Sequence, residues 1–152
     1  MRAFPLLLCP LVLVASVGAA EPSPEPDEPD DAKTILGTWQ AVKAVKRGTP
    51  APASEVENLK LEVTKDKLVI VEGREKGPRE ERVTYKLDPK AKPRTIDLTM
   101  IDAGKGIVVR GIYKIEKGEL TIVTGDHDEA RPKAFAEKGR TLLVFRKAKA
   151  KK

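Results

Sequence analysis

The sequence predicts an all-β protein: a single antiparallel, up-and-down barrel of eight strands, with one short helix between strands 1 and 2. Three observations carry this. Apolar and polar residues alternate with period two through most of the chain. Short turn signals separate the alternating runs. One stretch alone, residues 52–57, carries a helix-start signature. Period-two patterning with polar outward positions marks antiparallel strands with one solvated face. Short connections between such strands favour a meander.

The first strand covers about residues 36–47 and opens with Leu36-Gly37-Thr38-Trp39, which holds the only tryptophan of the chain. Ser54 followed three residues later by Glu57 reads as a capping box. It predicts a helix from Glu55 to about Leu59. Leu61 and Val63 then alternate with Glu62 and Thr64, and Leu68 and Ile70 follow the turn at Lys65-Asp66. Val83, Tyr85 and Leu87 alternate with Arg82, Thr84 and Lys86. Ile96, Leu98 and Met100 alternate with Thr95, Asp97 and Thr99. Val109, Gly111, Tyr113 and Ile115 share one face of the next strand, although Ile112 interrupts its polar face. Leu120 and Ile122 follow the turn Lys117-Gly118, and Leu142 and Val144 close the series.

One hairpin is specified in register. Pro89 and Pro93 bound a turn, because proline cannot continue a ladder. Pairing Leu87 with Ile96 sets Tyr85 against Leu98 and Val83 against Met100 on the inner face. Lys86 then faces Asp97 outside, and Thr84 faces Thr99. Opposite-charge and apolar cross-strand pairs each contribute about 0.2–1 kcal/mol. A slip of one residue sets Tyr85 against Asp97 or Thr99. The register accounts for Asp97 without a catalytic role.

The flanks differ from this barrel, predicted for residues 33–147. Residues 1–20 combine a charged start, an apolar run and Gly18-Ala19-Ala20, the form of a secretory signal peptide. The run is shorter than the roughly 20 residues a membrane span needs. Cys9, the only cysteine, lies inside it. The mature chain therefore has no disulfide, and its core must hold it. Residues 21–32 contain four prolines and six acids with no large apolar residue. That composition predicts a disordered linker. From Lys33 onward 28 basic residues stand against 17 acidic ones, a net charge of +11, and residues 148–152 form a basic tail. Such a charge suits nucleic acid. Export points instead to acidic polysaccharide, anionic lipid headgroups or cell-wall polymer, and no aromatic-rich basic stripe is present; the plainer reading is a solvated basic surface. The expected location is the periplasm, the cell envelope or the exterior.

A Gly-x-Trp at the start of strand one is similar to the opening of lipocalin-type barrels. Leu36-Gly37-Thr38-Trp39, Tyr85-Lys86-Leu87-Asp88-Pro89, Ile96-Asp97-Leu98-Thr99, Gly111-Ile112-Tyr113 and Arg131-Pro132-x-x-Phe135 occur in this order. Together with the closing Leu142-Leu143-Val144 they resemble a paralogous domain family abundant in planctomycete bacteria. The resemblance spans about residues 35–147. It implies a lipocalin-like fold and a bacterial source, and brings no catalytic residues, because the family's function is uncharacterised. Relatives often carry a cysteine near residues 123–129, where this chain has none.

Few residues suggest chemistry. His127 lies among Asp126, Asp128 and Glu129, but a zinc site needs three or four ligands and the chain has no second histidine. The calcium-loop spacing is also absent. Gly104-Lys105-Gly106 lacks the length and following helix of a phosphate loop and reads as a hairpin turn. Arg131 suits a carboxylate pair better than an anion at the rim, and Phe135 is placed to plug one end. Gly37, Trp39 and Arg146 are expected to close the barrel, with the Arg146 guanidinium stacked on Trp39. No catalytic residue, metal or cofactor is predicted. The reading is a non-enzymatic exported domain binding a small apolar ligand, with Tyr85, Leu98, Met100 and Tyr113 lining the interior. The alternative is a packed barrel that binds anionic polymer through its basic surface.

Overall fold

The computed structural model describes residues 30–136 and 138–149. The expected signal peptide, nearly all of the expected linker and the last residues of the expected tail lie outside this range. The elements run α1 (Asp31–Thr34), β1 (Gly37–Lys46), β2 (Thr49–Pro50), α2 (Ala53–Glu57), β3 (Leu59–Val63), β4 (Lys67–Glu72), β5 (Arg79–Asp88), β6 (Thr95–Met100), β7 (Val108–Glu116), β8 (Glu119–Thr124) and β9 (Thr141–Lys147). From β3 to β9 each strand pairs antiparallel with the next, and β1 pairs with both β3 and β9. That last pairing closes an eight-stranded barrel; β2 is a two-residue arm folded back on the end of β1.

Closure fixes an inside. The inward residues of successive strands form one core that includes Trp39, Leu61, Leu68, Val83, Ile122 and Phe145. At Ala41–Lys43 a β-bulge shifts the register against β9. The bulge leaves Val42 exposed and returns Ala44 to the interior. Lys117 (φ 51°) and Gly118 (φ 77°) join β7 to β8 in a two-residue turn with both angles positive. This geometry matches the twist of the flanking strands. Gly111 is needed for a different reason. A Cβ there would lie 2.8 Å from the Val123 carbonyl oxygen and 2.9 Å from Thr124 Cγ2.

The β5–β6 hairpin adopts the register read from its residues, from Val83 opposite Met100 to Leu87 opposite Ile96, with Lys86 opposite Asp97. Other expectations are corrected. The helix begins at Ala53 after Pro52, which sits extended at the N-cap and provides no side-chain cap. Ser54 therefore lies inside the helix, and its carbonyl accepts from Asn58 Nδ2 at 2.7 Å. Proline's fixed φ starts this helix in place of a hydroxyl cap. α2 packs along β1, where Gln40 Nε2 donates to the carbonyls of Glu57 (3.0 Å) and Leu59 (3.1 Å).

Phe135 does not plug an end. It packs on the outer wall over Val45, Ile112, Val123 and Leu142, with Lys114 Nζ 5.2 Å from its ring centroid. The segment between β8 and β9 covers this second apolar patch, which explains why Ile112 interrupts the polar face of β7. Arg131 pins the segment. Its guanidinium pairs with Asp97 at 2.7 Å and donates to the Gly111 carbonyl at 2.8 Å.

Candidate functional site: an open cup with a locked floor

The two ends of the barrel differ. At one end α1 lies across the opening. Trp39, fully buried, donates from Nε1 to the Ile35 carbonyl at 2.8 Å. Tyr113 donates its hydroxyl proton to Asp31 at 2.6 Å, and Arg94 stands 3.2 Å from the same carboxylate. Burial first, then the Asp31 hydrogen bond and charge, push the Tyr113 phenol well above its ordinary range. Asp31 is only 3% exposed. The linker boundary read from composition therefore falls two residues late, since Asp31 and Ala32 belong to α1.

Gly37, at φ +115°, turns the chain from α1 into β1. The cation over Trp39 is Lys147, with Nζ 5.0 Å from the ring centroid, and it also donates to the Thr34 carbonyl at 2.8 Å. Lys147 pairs opposite Trp39 and shares its face, whereas Arg146 pairs opposite Gln40 and points the other way. Arg146 instead forms an exposed ion pair with Glu119 at 2.7 Å.

The other end is open. A cavity of about 660 Å³ forms its mouth, bordered by Lys46, Glu72, Glu81, Ile107, Asp126 and His127 among others. A second cavity of about 180 Å³ lies deeper, walled by Leu61, Leu68, Val83, Leu98, Ile122 and Phe145. Ile70, Glu81, Met100, Val109 and Leu143 line both, so the two are one continuous cup. Its volume falls in the range of small-ligand sites, roughly 300–1,000 Å³.

The four residues expected inside the barrel separate. Leu98 and Met100 line the cup. Tyr113 is held at the floor by Asp31. The Tyr85 hydroxyl donates to the Thr64 carbonyl at 2.7 Å, beside the β3–β4 turn at the closed end. Burial and then the Asp66 charge raise its pKa. Neither tyrosine borders either cavity.

The polar mouth was missed in the sequence reading, yet it follows from the same alternation. Glu72 continues the inward series Leu68-Ile70, and Glu81 precedes Val83 and Tyr85 on the inward face of β5. Thr124 likewise extends the inward face of β8. On β9 the face is the reverse of the one expected: Thr141, Leu143 and Phe145 line the interior, and Leu142 and Val144 lie on the outer patch under Phe135. An inward position that turns polar near a strand end marks the rim of a cup.

Most rim charges are paired. Lys46 bonds Glu55 and stands 3.3 Å from Glu72, while Arg74 reaches Glu72 at 2.8 Å. Burial pushes the Lys46 ammonium down, but the Glu55 hydrogen bond and the charges of Glu72 and Glu55 outweigh it and hold the pKa above the usual range. Burial likewise pushes Glu72 up, and Arg74 and Lys46 outweigh it, holding the carboxyl below its ordinary value. Arg47 pairs with Asp126 at 3.3 Å, and His127 Nε2 lies 3.0 Å from Asp128. Among the described residues, no three His, Cys, Asp or Glu side chains gather as a metal site.

No family model matches the chain, and no curated protein matches its sequence. Solved structures do. A lipocalin-like protein from Bacteroides uniformis superposes over 76% of this chain and 99% of its own, at 13% identity and a TM-score of 0.50. An uncharacterized protein from Bacteroides eggerthii covers 74% of this chain and 98% of its own, at 13% identity and a TM-score of 0.48. The fold is a lipocalin-like β-barrel. Among the described residues no helix is long and apolar enough to cross a membrane.

Proposed function

We propose that this chain is a non-enzymatic, exported binding domain that takes a small, largely apolar ligand through the open end of its barrel. The observation that carries the reading is the continuous cup, an apolar pocket of about 180 Å³ opening into a mouth of about 660 Å³. A barrel of eight strands either fills with side chains or holds one small ligand. Here the floor is filled and locked, and the opposite half is empty. The wall below the rim is aliphatic, with Phe145 at its base, so desolvation of an apolar body supplies the affinity.

Export and residence in the periplasm or cell envelope rest on residues 1–20, whose pattern is that of a signal peptide. Membership of the planctomycete family rests on the ordered motifs alone. The competing reading, a packed barrel binding anionic polymer through its basic surface, needs a filled interior, and the cup favours the ligand reading over it.

Native mass spectrometry of the full chain purified from its own host tests the proposal. A discrete added mass that disappears on denaturation supports it. Apoprotein alone, combined with salt-sensitive binding to anionic polymer that is abolished by deleting residues 148–152, refutes it.

A further inference from the structure

Among the described residues, Glu81 is the one charge on the wall of the cup that the fold leaves unanswered. It lines the mouth and the deep pocket alike, between an aliphatic wall below and the charged rim above. Its strand partner is Ile70, and Met100, Val109 and Leu143 border the same space. The other lining charges have partners. Lys46 bonds Glu55 and Glu72, Glu72 also bonds Arg74, and Arg47 pairs with Asp126. Among the described residues no cation or hydrogen-bond donor reaches the Glu81 side chain. The surplus is set against the chain as a whole, which carries a net +6. A carboxylate kept on an apolar cavity wall in a basic protein is not a generic surface charge.

Filling the cup displaces the water that solvates Glu81. A ligand of neutral or negative charge leaves that carboxylate desolvated without a partner, which opposes binding. A ligand cation at the same height replaces the lost water with a charge-assisted hydrogen bond, about twice as strong as a neutral one. A single carboxylate cannot hold a bare divalent ion, which takes several oxygen ligands. The arrangement fits an organic cation whose body occupies the aliphatic pocket.

We propose that the cup selects small cationic amphiphiles, an apolar body bearing one amine, with Glu81 as the counter-charge. This rests on the reading of the barrel as a ligand cup. Isothermal titration of the full chain at neutral pH with octylammonium, 1-octanol and octanoate tests it, because the three share a body and differ in head charge. The wild type prefers octylammonium over octanol by about tenfold, the scale of a hydrogen bond to a charged group. Glu81→Gln removes that preference while octanol binding persists. Glu81→Lys turns the preference toward octanoate, a gain that a merely destabilised barrel does not produce. If octylammonium is still preferred in Glu81→Gln, or the wild type favours octanol or octanoate, the cup reading stands and the amine assignment falls. If none of the three binds, the cup reading fails and the assignment with it.

Discussion

Tyr113→Phe removes one oxygen atom from the floor of the barrel, and the structure sets the size of the effect. The Tyr113 side chain is 1% exposed and its hydroxyl lies 2.6 Å from an Asp31 carboxylate that is itself 3% exposed. A hydrogen bond to a charged group contributes about 1.5–3 kcal/mol. Arg94 still meets Asp31 after the substitution, so the carboxylate keeps a partner and the expected loss is about 2 kcal/mol. For a domain of this size that lowers the melting temperature by about 8 °C. Asp31→Ala costs more, about 3–5 kcal/mol, because it leaves both the phenol and Arg94 without their partner.

The pH dependence provides a second readout. The phenol's pKa is raised in the folded state above its ordinary 10.0. Its stabilisation is therefore complete below that value and is lost as pH rises toward the folded pKa. The wild type loses stability on an alkaline limb that Tyr113→Phe flattens. Chemical denaturation at neutral and alkaline pH measures both quantities. Octanol affinity stays unchanged throughout, because Tyr113 lies below the cup. A loss under about 0.5 kcal/mol, with the alkaline limb intact, refutes the lock.

Three further substitutions probe the two ends of the barrel. Lys147→Ala removes the cation over Trp39 and the bond to the Thr34 carbonyl. It is expected to cost about 0.5–2 kcal/mol and to shift Trp39 emission; Arg146→Ala, which breaks only an exposed pair with Glu119, changes stability by about 0–1 kcal/mol and leaves the emission unchanged. At the mouth, Glu72 has its folded pKa held below the ordinary 4.5, so its contribution is full above that pH and is lost as pH falls through the folded value. A melting-temperature profile under acid conditions is expected to fall less steeply for Glu72→Gln than for the wild type.

Local alternation made the strands legible, and proline-bounded turns made one hairpin legible in register. Tyr85, Leu98 and Met100 were placed on the inner face because period two assigns sides. It does not say at what height a residue sits. Tyr85 and Tyr113 thus went to the floor, while Leu98 and Met100 went to the cup. Nor does it mark an outer position that a later segment covers. Ile112 interrupts a polar face, and Leu142 and Val144 read as part of the inward series, because the chain between β8 and β9 covers an outer apolar patch that includes all three. The Asp31–Tyr113 bond joins residues 82 positions apart, so no local pattern signals it. Asp31 sat among linker acids and took their reading. Glu81 was hidden similarly in the run Arg79-Glu80-Glu81-Arg82, whose charges read as solvated although one in two faces the interior.

Ligand binding requires the cup to be open. Leu143 lines both the mouth and the deep pocket, so Leu143→Trp sets an indole across their junction. Titration of 1-octanol into the wild type and this variant is the direct measurement, with melting temperatures taken alongside. Saturable one-to-one binding to the wild type and none to Leu143→Trp are expected, at a stability cost of no more than about 1–3 kcal/mol. Equal octanol affinity in the two folded proteins, or no binding to either, contradicts an open cup.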